Sequence, residues 1–211
     1  MTVWSIIVAA GTGSRFGGSQ PKQYEPLAGR RVVDWALDAA RHLSDGVVLV
    51  VPPDRVDDPE PAADRVVAGG ATRSGSVRAG LAAVPEDCDI VMIHDAARPL
   101  ASLGLFESVV GTVLAGADGA IPGVPVIDTI KRLDGDEVVE TIERDDLVAV
   151  QTPQAFRADV LRRAHEGDPE ATDDATLVEE VGGIVLVVDG ELTNLKITGP
   201  LDLAIATLHL G

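Results

Sequence analysis

Arg15 and Lys22 are the first side chains whose placement suggests chemistry. They bracket a glycine-rich loop that begins Ala9-Ala10-Gly11-Thr12-Gly13 and carries Pro21. Small residues let a backbone come close to a ligand. The loop is fed by the apolar run Val3–Val8, which reads as a buried strand. A strand that runs into such a loop suits a polyphosphate: backbone N–H groups cup the oxygens and two cations neutralise them. Of the 17 basic residues only Lys22, Lys131 and Lys196 are lysines, which marks these compact ammoniums for specific work.

Three glycine-loop motifs compete for this stretch. The dinucleotide fingerprint needs G-x-G-x-x-G, and here the third glycine, Gly17, comes one place late. The second strand also runs into Pro52-Pro53 with no clean acidic residue at its end, which speaks against an NAD-dependent oxidoreductase. The Walker A signature needs Gly before its lysine, and Lys22 follows Pro21. The third pattern, G-x-G-x-R followed by P-K, is similar to that of nucleotidyltransferases, in which the Arg and the Lys sit on the triphosphate of an NTP.

Other candidates follow along the chain. Gly69-Gly70 precedes Thr72-Arg73-Ser74-Gly75-Ser76, offering N–H donors and hydroxyls at the start of a helix read over Val77–Val84. The apolar strand Asp89–Ile93 ends in His94-Asp95-Ala96-Ala97-Arg98-Pro99. In open α/β sheets ligands sit beyond the carboxyl ends of strands. Asp95 there is a candidate Mg²⁺ ligand, with phosphates supplying further oxygens. His94 reads as a structural hydrogen-bonder, and Arg98 is free to pair with Asp95 or with phosphate. Cys88 is the one cysteine, so no intrachain disulfide forms.

The elements that must position these residues alternate. Val32–Arg41 has helical apolar spacing, closed by Gly46, and Val47–Val51 is a buried strand ended by Pro52-Pro53. Arg65–Ala68 is a short strand, Leu103–Leu114 a helix and Gly119–Ile121 the start of another strand. Val124–Arg132, Val138–Ile142 and Leu147–Val150 are β-rich, joined by Asp134-Gly135-Asp136, and read as a protruding arm over about 124–150. The arm carries Thr129, Lys131 and Arg144, and its half-apolar character suits a dimer contact. Arg157–His165 and the segment from Thr172 to Val181 are helical, and Ile184–Val188 is a buried strand. Gly190–Thr198 is a loop and short strand holding Asn194 and Lys196, and a last helix runs from Pro200 to near Leu210. The expectation is a single α/β domain over 1–211 with a mostly parallel sheet.

The bulk numbers set limits. The 211 residues are 45% hydrophobic and only 3% aromatic, so the core must be aliphatic. A formal charge of -17 argues against long nucleic acid and against an anionic membrane surface. It leaves room for a small anionic substrate, since exposed charges more than about 8 Å apart are largely screened. No targeting pattern and no bilayer-length apolar run is seen, so a cytoplasmic protein is expected.

Taken in order, AAGTGSRF, PKQY, GGATRSGSV, HDAARP, PVIDTIKR, TPQAF, TDDA and NLKIT resemble the 2-C-methyl-D-erythritol 4-phosphate cytidylyltransferase family of the non-mevalonate isoprenoid pathway. The resemblance implies a Rossmann-like, glycosyltransferase-A-like nucleotidyltransferase fold, Mg²⁺ dependence, CTP as donor and a homodimer interlocked by the β-arm. It implies that Arg15 and Lys22 stabilise the transition state on the triphosphate. Ala9, Ala10, Gly11, Thr12, Gly13, Gly70, Arg73, Ser76, Asp95, Ala96 and Lys196 would contact the nucleotide, with Asp95 on the metal. Arg144 and Lys196 would position the methylerythritol phosphate, and Thr129 and Arg144 would reach the neighbouring subunit's site, where Asp95 also meets the substrate. Two positions depart from the family pattern: Val8 stands where many members have proline, and Ala71 follows Gly-Gly where relatives often have an acidic or polar residue. Ribitol-5-phosphate cytidylyltransferases share many of these motifs and are the alternative. A non-catalytic nucleotide-binding scaffold is a third reading, disfavoured by the retention of Arg15, Lys22, Asp95, Arg144 and Lys196.

Overall fold

The computed structural model describes residues 1–11, 16 and 20–210. In chain order the strands and helices are β1 (Val3–Val8), β2 (Pro26–Leu27), β3 (Arg30–Arg31), α1 (Val32–Arg41), β4 (Gly46–Val51), β5 (Arg65–Ala68), α2 (Arg73–Ala82), β6 (Ile90–Asp95) and α3 (Leu103–Leu114). They continue with β7 (Gly119–Pro125), β8 (Ile130–Asp134), β9 (Glu137–Ile142), β10 (Val148–Val150), β11 (Gln154–Arg157), α4 (Ala158–Ala164), α5 (Asp174–Glu180), β12 (Val185–Asp189) and α6 (Pro200–Leu210).

The main sheet runs β10-β7-β11-β6-β1-β4-β5, with β12 also paired to β7. β1 lies parallel to both β4 and β6, and β4 lies parallel to β5. The apolar runs are continuous because both sheet faces are covered. Successive residues of β1 show it: Ile7 packs into a core with α1 and α3, and Ile6 into the opposite core with α2, α4 and α5. The mostly parallel α/β architecture expected from the sequence is thus present.

Several local expectations change. β11 is a further strand, antiparallel to β6 and β7, for which the sequence carried no expectation. Gln154, Ala155 and Phe156 are all buried, so no period-2 alternation announces it. Gly46 opens β4 and does not close α1, which ends at Arg41; glycine is needed in the strand because a Cβ there would meet the Trp4 ring at 2.5 Å. α2 begins at Arg73 and not at Val77, since Thr72 caps it by accepting from the Gly75 N–H. The run expected as one strand over Val124–Arg132 is split between β7, which stays in the main sheet to Pro125, and β8. β10 also stays in the main sheet, against β7. Between them β8 and β9 form a separate antiparallel hairpin that is exposed along most of its length.

β12 is not the buried strand its composition suggested: Leu186 and Val187 are about half exposed. An apolar run reports a preference for cover, and Leu186 and Val187, which point to opposite faces of β12, both stay about half open among the described residues. No strand forms over 190–198. Asn194, fully buried, anchors that loop by donating from Nδ2 to the Thr152 carbonyl (2.9 Å) and to Gln151 Oε1 (3.2 Å). Among the described residues no helix is long and apolar enough to cross a membrane.

Candidate active site

The cleft lies where the parallel strands end. β1 delivers Ala9, Ala10 and Gly11; β5 runs on to Gly70; β6 ends in Asp95 and Ala96. With Lys22, Arg73, Ser76 and Lys196 these line a cavity of about 610 Å³. The backbone ladder continues past the strand ends, with Ala9 N–H donating to the Val50 carbonyl (2.8 Å) and Ala96 N–H to the Val8 carbonyl (3.1 Å). Val8, the departure noted above, is therefore ordinary ladder backbone here. Ala71 lines the cleft as well.

A buried side chain that sequence reasoning passed over supports the loop. Gln23 Nε2 donates to the carbonyls of Ala9 (2.5 Å) and Gly11 (2.9 Å), fastening the exit of β1 to the turn that holds Lys22. Its place beside Lys22 in PKQY was the only available signal.

Asp95 is the electrostatic centre. Its Oδ2 accepts from Lys196 Nζ at 2.5 Å, and its Oδ1 lies 3.7 Å from Arg73 Nε. Burial pushes its carboxyl up, but the charges of Lys196 and Arg73 outweigh that and bring it to about 2. It is a carboxylate at any physiological pH. Burial drives Arg73's own pKa down, and the Asp174 and Asp95 carboxylates more than restore it. Ser76, on the cleft wall, turns its hydroxyl back to donate to the Thr72 carbonyl (2.9 Å).

His94 is the structural hydrogen-bonder expected. Asp95 N–H donates to Thr152 Oγ1 (3.0 Å), so the Thr152 hydroxyl donates to His94 Nδ1 (3.1 Å) and His94 Nε2–H donates to the Arg98 carbonyl (3.1 Å). Burial lowers its pKa to about 4, which keeps this tautomer neutral. Arg98 forms no ion pair with Asp95 among the described residues: Nη1 donates to the Asn194 carbonyl at 2.6 Å, and Nη2 reaches the Val150 carbonyl at 3.4 Å. It is a strut between the end of β6 and the loop that carries Lys196.

Arg15, Thr12 and Gly13 lie outside the described residues. Thr129 and Arg144 are exposed and are not among the described residues lining this cleft. Arg144 Nη1 donates to the Ile127 carbonyl, and Lys131 Nζ donates to Thr141 Oγ1 at 2.6 Å across the hairpin. Among the described residues there is no cluster of three or more His, Cys, Asp or Glu able to hold a metal alone.

A family model for 2-C-methyl-D-erythritol 4-phosphate cytidylyltransferase matches residues 3–211. A protein of that name from Nocardia farcinica is 44% identical over 213 residues, covering 97% of this chain and 92% of its own. One from Rhodococcus opacus is 45% identical over 211 residues, covering 97% and 93%. The crystal structure of 2-C-methyl-D-erythritol 4-phosphate cytidylyltransferase from Thermus thermophilus superposes with a TM-score of 0.83 at 35% identity, covering 99% of this chain and 98% of that one.

Proposed function

This chain belongs to the 2-C-methyl-D-erythritol 4-phosphate cytidylyltransferase family, and we propose that the cleft beyond β1 and β6 is where it transfers CMP from CTP to 2-C-methyl-D-erythritol 4-phosphate. The observation that carries the site is the Lys196–Asp95–Arg73 array at the carboxyl ends of parallel strands, beside a glycine-bearing loop and Lys22.

A phosphate oxygen of the methylerythritol phosphate attacks the α-phosphorus of CTP. The new P–O bond forms as the bond from the α-phosphorus to the bridging oxygen breaks, and pyrophosphate departs. The attacking phosphate is already ionised, so no side chain need remove a proton. The chain's task is to bring two polyanions to within roughly 3–3.5 Å and hold the growing charge. Lys22 and Arg15 meet charge on the triphosphate. Arg73, Ser76 and the backbone of Ala9 to Gly13, Gly70 and Ala96 hold the nucleotide. Lys196 serves both Asp95 and the incoming phosphate.

The donor set fits Mg²⁺. Asp95 would hold it with an ionised oxygen at the cleft, and phosphate oxygens and water would supply the remaining hard ligands. Bound there, Mg²⁺ would neutralise phosphate charge. We also read the exposed β8–β9 hairpin as the arm of a homodimer that carries Thr129 and Arg144 to a second copy's cleft. Ile127, Leu133, Val138 and Val139 are all more than half exposed in the single chain, which supports such cover. The acidic surface and the absence of a spanning helix among the described residues support a cytoplasmic enzyme without nucleic-acid partners.

Pyrophosphate release from CTP tests the assignment, with 2-C-methyl-D-erythritol 4-phosphate in one arm and ribitol 5-phosphate in the other. Release with the first and not the second is expected. The opposite preference overturns the substrate.

A further inference from the structure

A buried pair that no step above uses stands behind Arg73. Asp174, at the start of α5 and wholly buried, accepts from Arg73 Nη1 at 2.7 Å through Oδ2. Its Oδ1 faces His165 Nε2 at 3.1 Å, and His165 is itself buried where α4 ends. Neither is among the described residues that line the cleft. On its other edge, Arg73 Nε is 3.7 Å from Asp95 Oδ1, just beyond hydrogen-bond reach. The guanidinium thus stands between two carboxylates and is committed to the remote one.

We propose that Asp174, backed by His165, is a positioning residue for nucleotide binding, holding Arg73 back from Asp95. This rests on the reading of the cleft as the CTP site and deepens it. The physical reason is the guanidinium fork, which closes bidentately on a carboxylate when nothing restrains it. Asp95 is the nearest alternative. An Arg73 released from Asp174 closes the short remaining gap to Asp95. That single movement costs the site twice: Arg73 no longer faces the nucleotide, and the Asp95 oxygen not used by Lys196 is consumed. Asp174 is suited to the task because it is buried. A carboxylate out of water holds its paired cation far more firmly than one screened at the surface. His165 occupies the second oxygen, so the carboxylate cannot rotate to follow Arg73 toward the cleft.

A pair that only tied α2 to α5 would lower stability without a loss of CTP affinity that depends on Arg73, and the test separates the two roles. CTP affinity is measured by calorimetry with Mg²⁺ present for wild type, Asp174→Asn, Arg73→Gln and the double variant. Asparagine keeps an acceptor for Arg73 but not the charge. Asp174→Asn is expected to weaken CTP about tenfold or more in the wild-type background, and less than about twofold when Arg73 is already Gln. In turnover its KM for CTP rises while kcat stays within about threefold. Equal losses in both backgrounds, or an unchanged CTP affinity, overturn the proposal. Should Asp174→Asn not fold, His165→Leu replaces it, with a loss of about threefold expected that is likewise absent when Arg73 is Gln; equal losses in both backgrounds overturn it. If wild type binds CTP but releases no pyrophosphate with the sugar phosphate, the function fails while the binding cycle still decides the role of Asp174.

Discussion

Lys196 Nζ stands 2.5 Å from Asp95 Oδ2, joining the end of β6 to a loop 101 residues further along the chain. The pair sits at the cleft, and it is the cationic member that is the more exposed. Lys196→Met keeps the aliphatic stem and removes the charge. The expected result is a fall in kcat/KM of about 10²–10³ in the pyrophosphate assay. The acid limb of stability should shift too. A carboxyl held below its ordinary value stabilises fully above that value and loses its contribution as pH falls through about 2. In Lys196→Met that contribution is smaller, so the fall in melting temperature on acidification becomes shallower.

Lys22 lines the cleft from the short turn Lys22–Tyr24, half-buried and next to the Gln23 clamp. Lys22→Ala is expected to lower kcat by about 10²–10³ with little change in melting temperature. Normal turnover would remove Lys22 from the mechanism.

Arg144 belongs to the exposed region beside the β8–β9 hairpin and is not among the described residues lining its own chain's cleft. Arg144→Ala should raise the KM for the sugar phosphate and leave CTP affinity unchanged. Mixed dimers of Arg144→Ala with Lys22→Ala should regain activity, because one of their two sites then holds both native residues. No recovery on mixing would mean that the arm does not serve the partner's site.

Gly70 touches backbone where a side chain would be. A Cβ there would lie 2.8 Å from the Gly75 carbonyl carbon and 3.0 Å from its Cα, so no rotamer change relieves the clash. Gly70→Ala must displace the start of α2, and Arg73 with it. KM for CTP is expected to rise roughly ten- to hundredfold. An unchanged KM would show that this rim does not meet the nucleotide.

His94 makes a prediction about pH and stability. Folded, its pKa is lowered to about 4, while unfolded it titrates near 6.5. The unfolded chain therefore binds the extra proton first as pH falls. Stability is full above about 6.5 and declines down to about 4, by on the order of 3 kcal/mol from this residue. Denaturant unfolding between pH 7 and 4 should show the decline, and His94→Gln should flatten it. An identical slope in the variant would assign the effect to other groups.

The sequence by itself determined the family signature and the order of the main elements. Runs such as Val47–Val51 and the helical spacing of Val32–Arg41 speak through local pattern, and Asp95 could be placed because a strand's end is visible where its apolar run stops. Tertiary structure alone decided what Asp95 touches. Lys196 lies 101 residues away and Arg73 reaches it from α2, and no local period encodes such a meeting. The same holds for Gln23 on the carbonyls of Ala9 and Gly11, and for Asp174 behind Arg73. β11 escaped because burial on both faces erases alternation, and β12 misled because an apolar run records a need for cover without saying what supplies it. Local physics writes elements into a chain one turn or pleat at a time, whereas charges meet only after the sheet has brought its strand ends together.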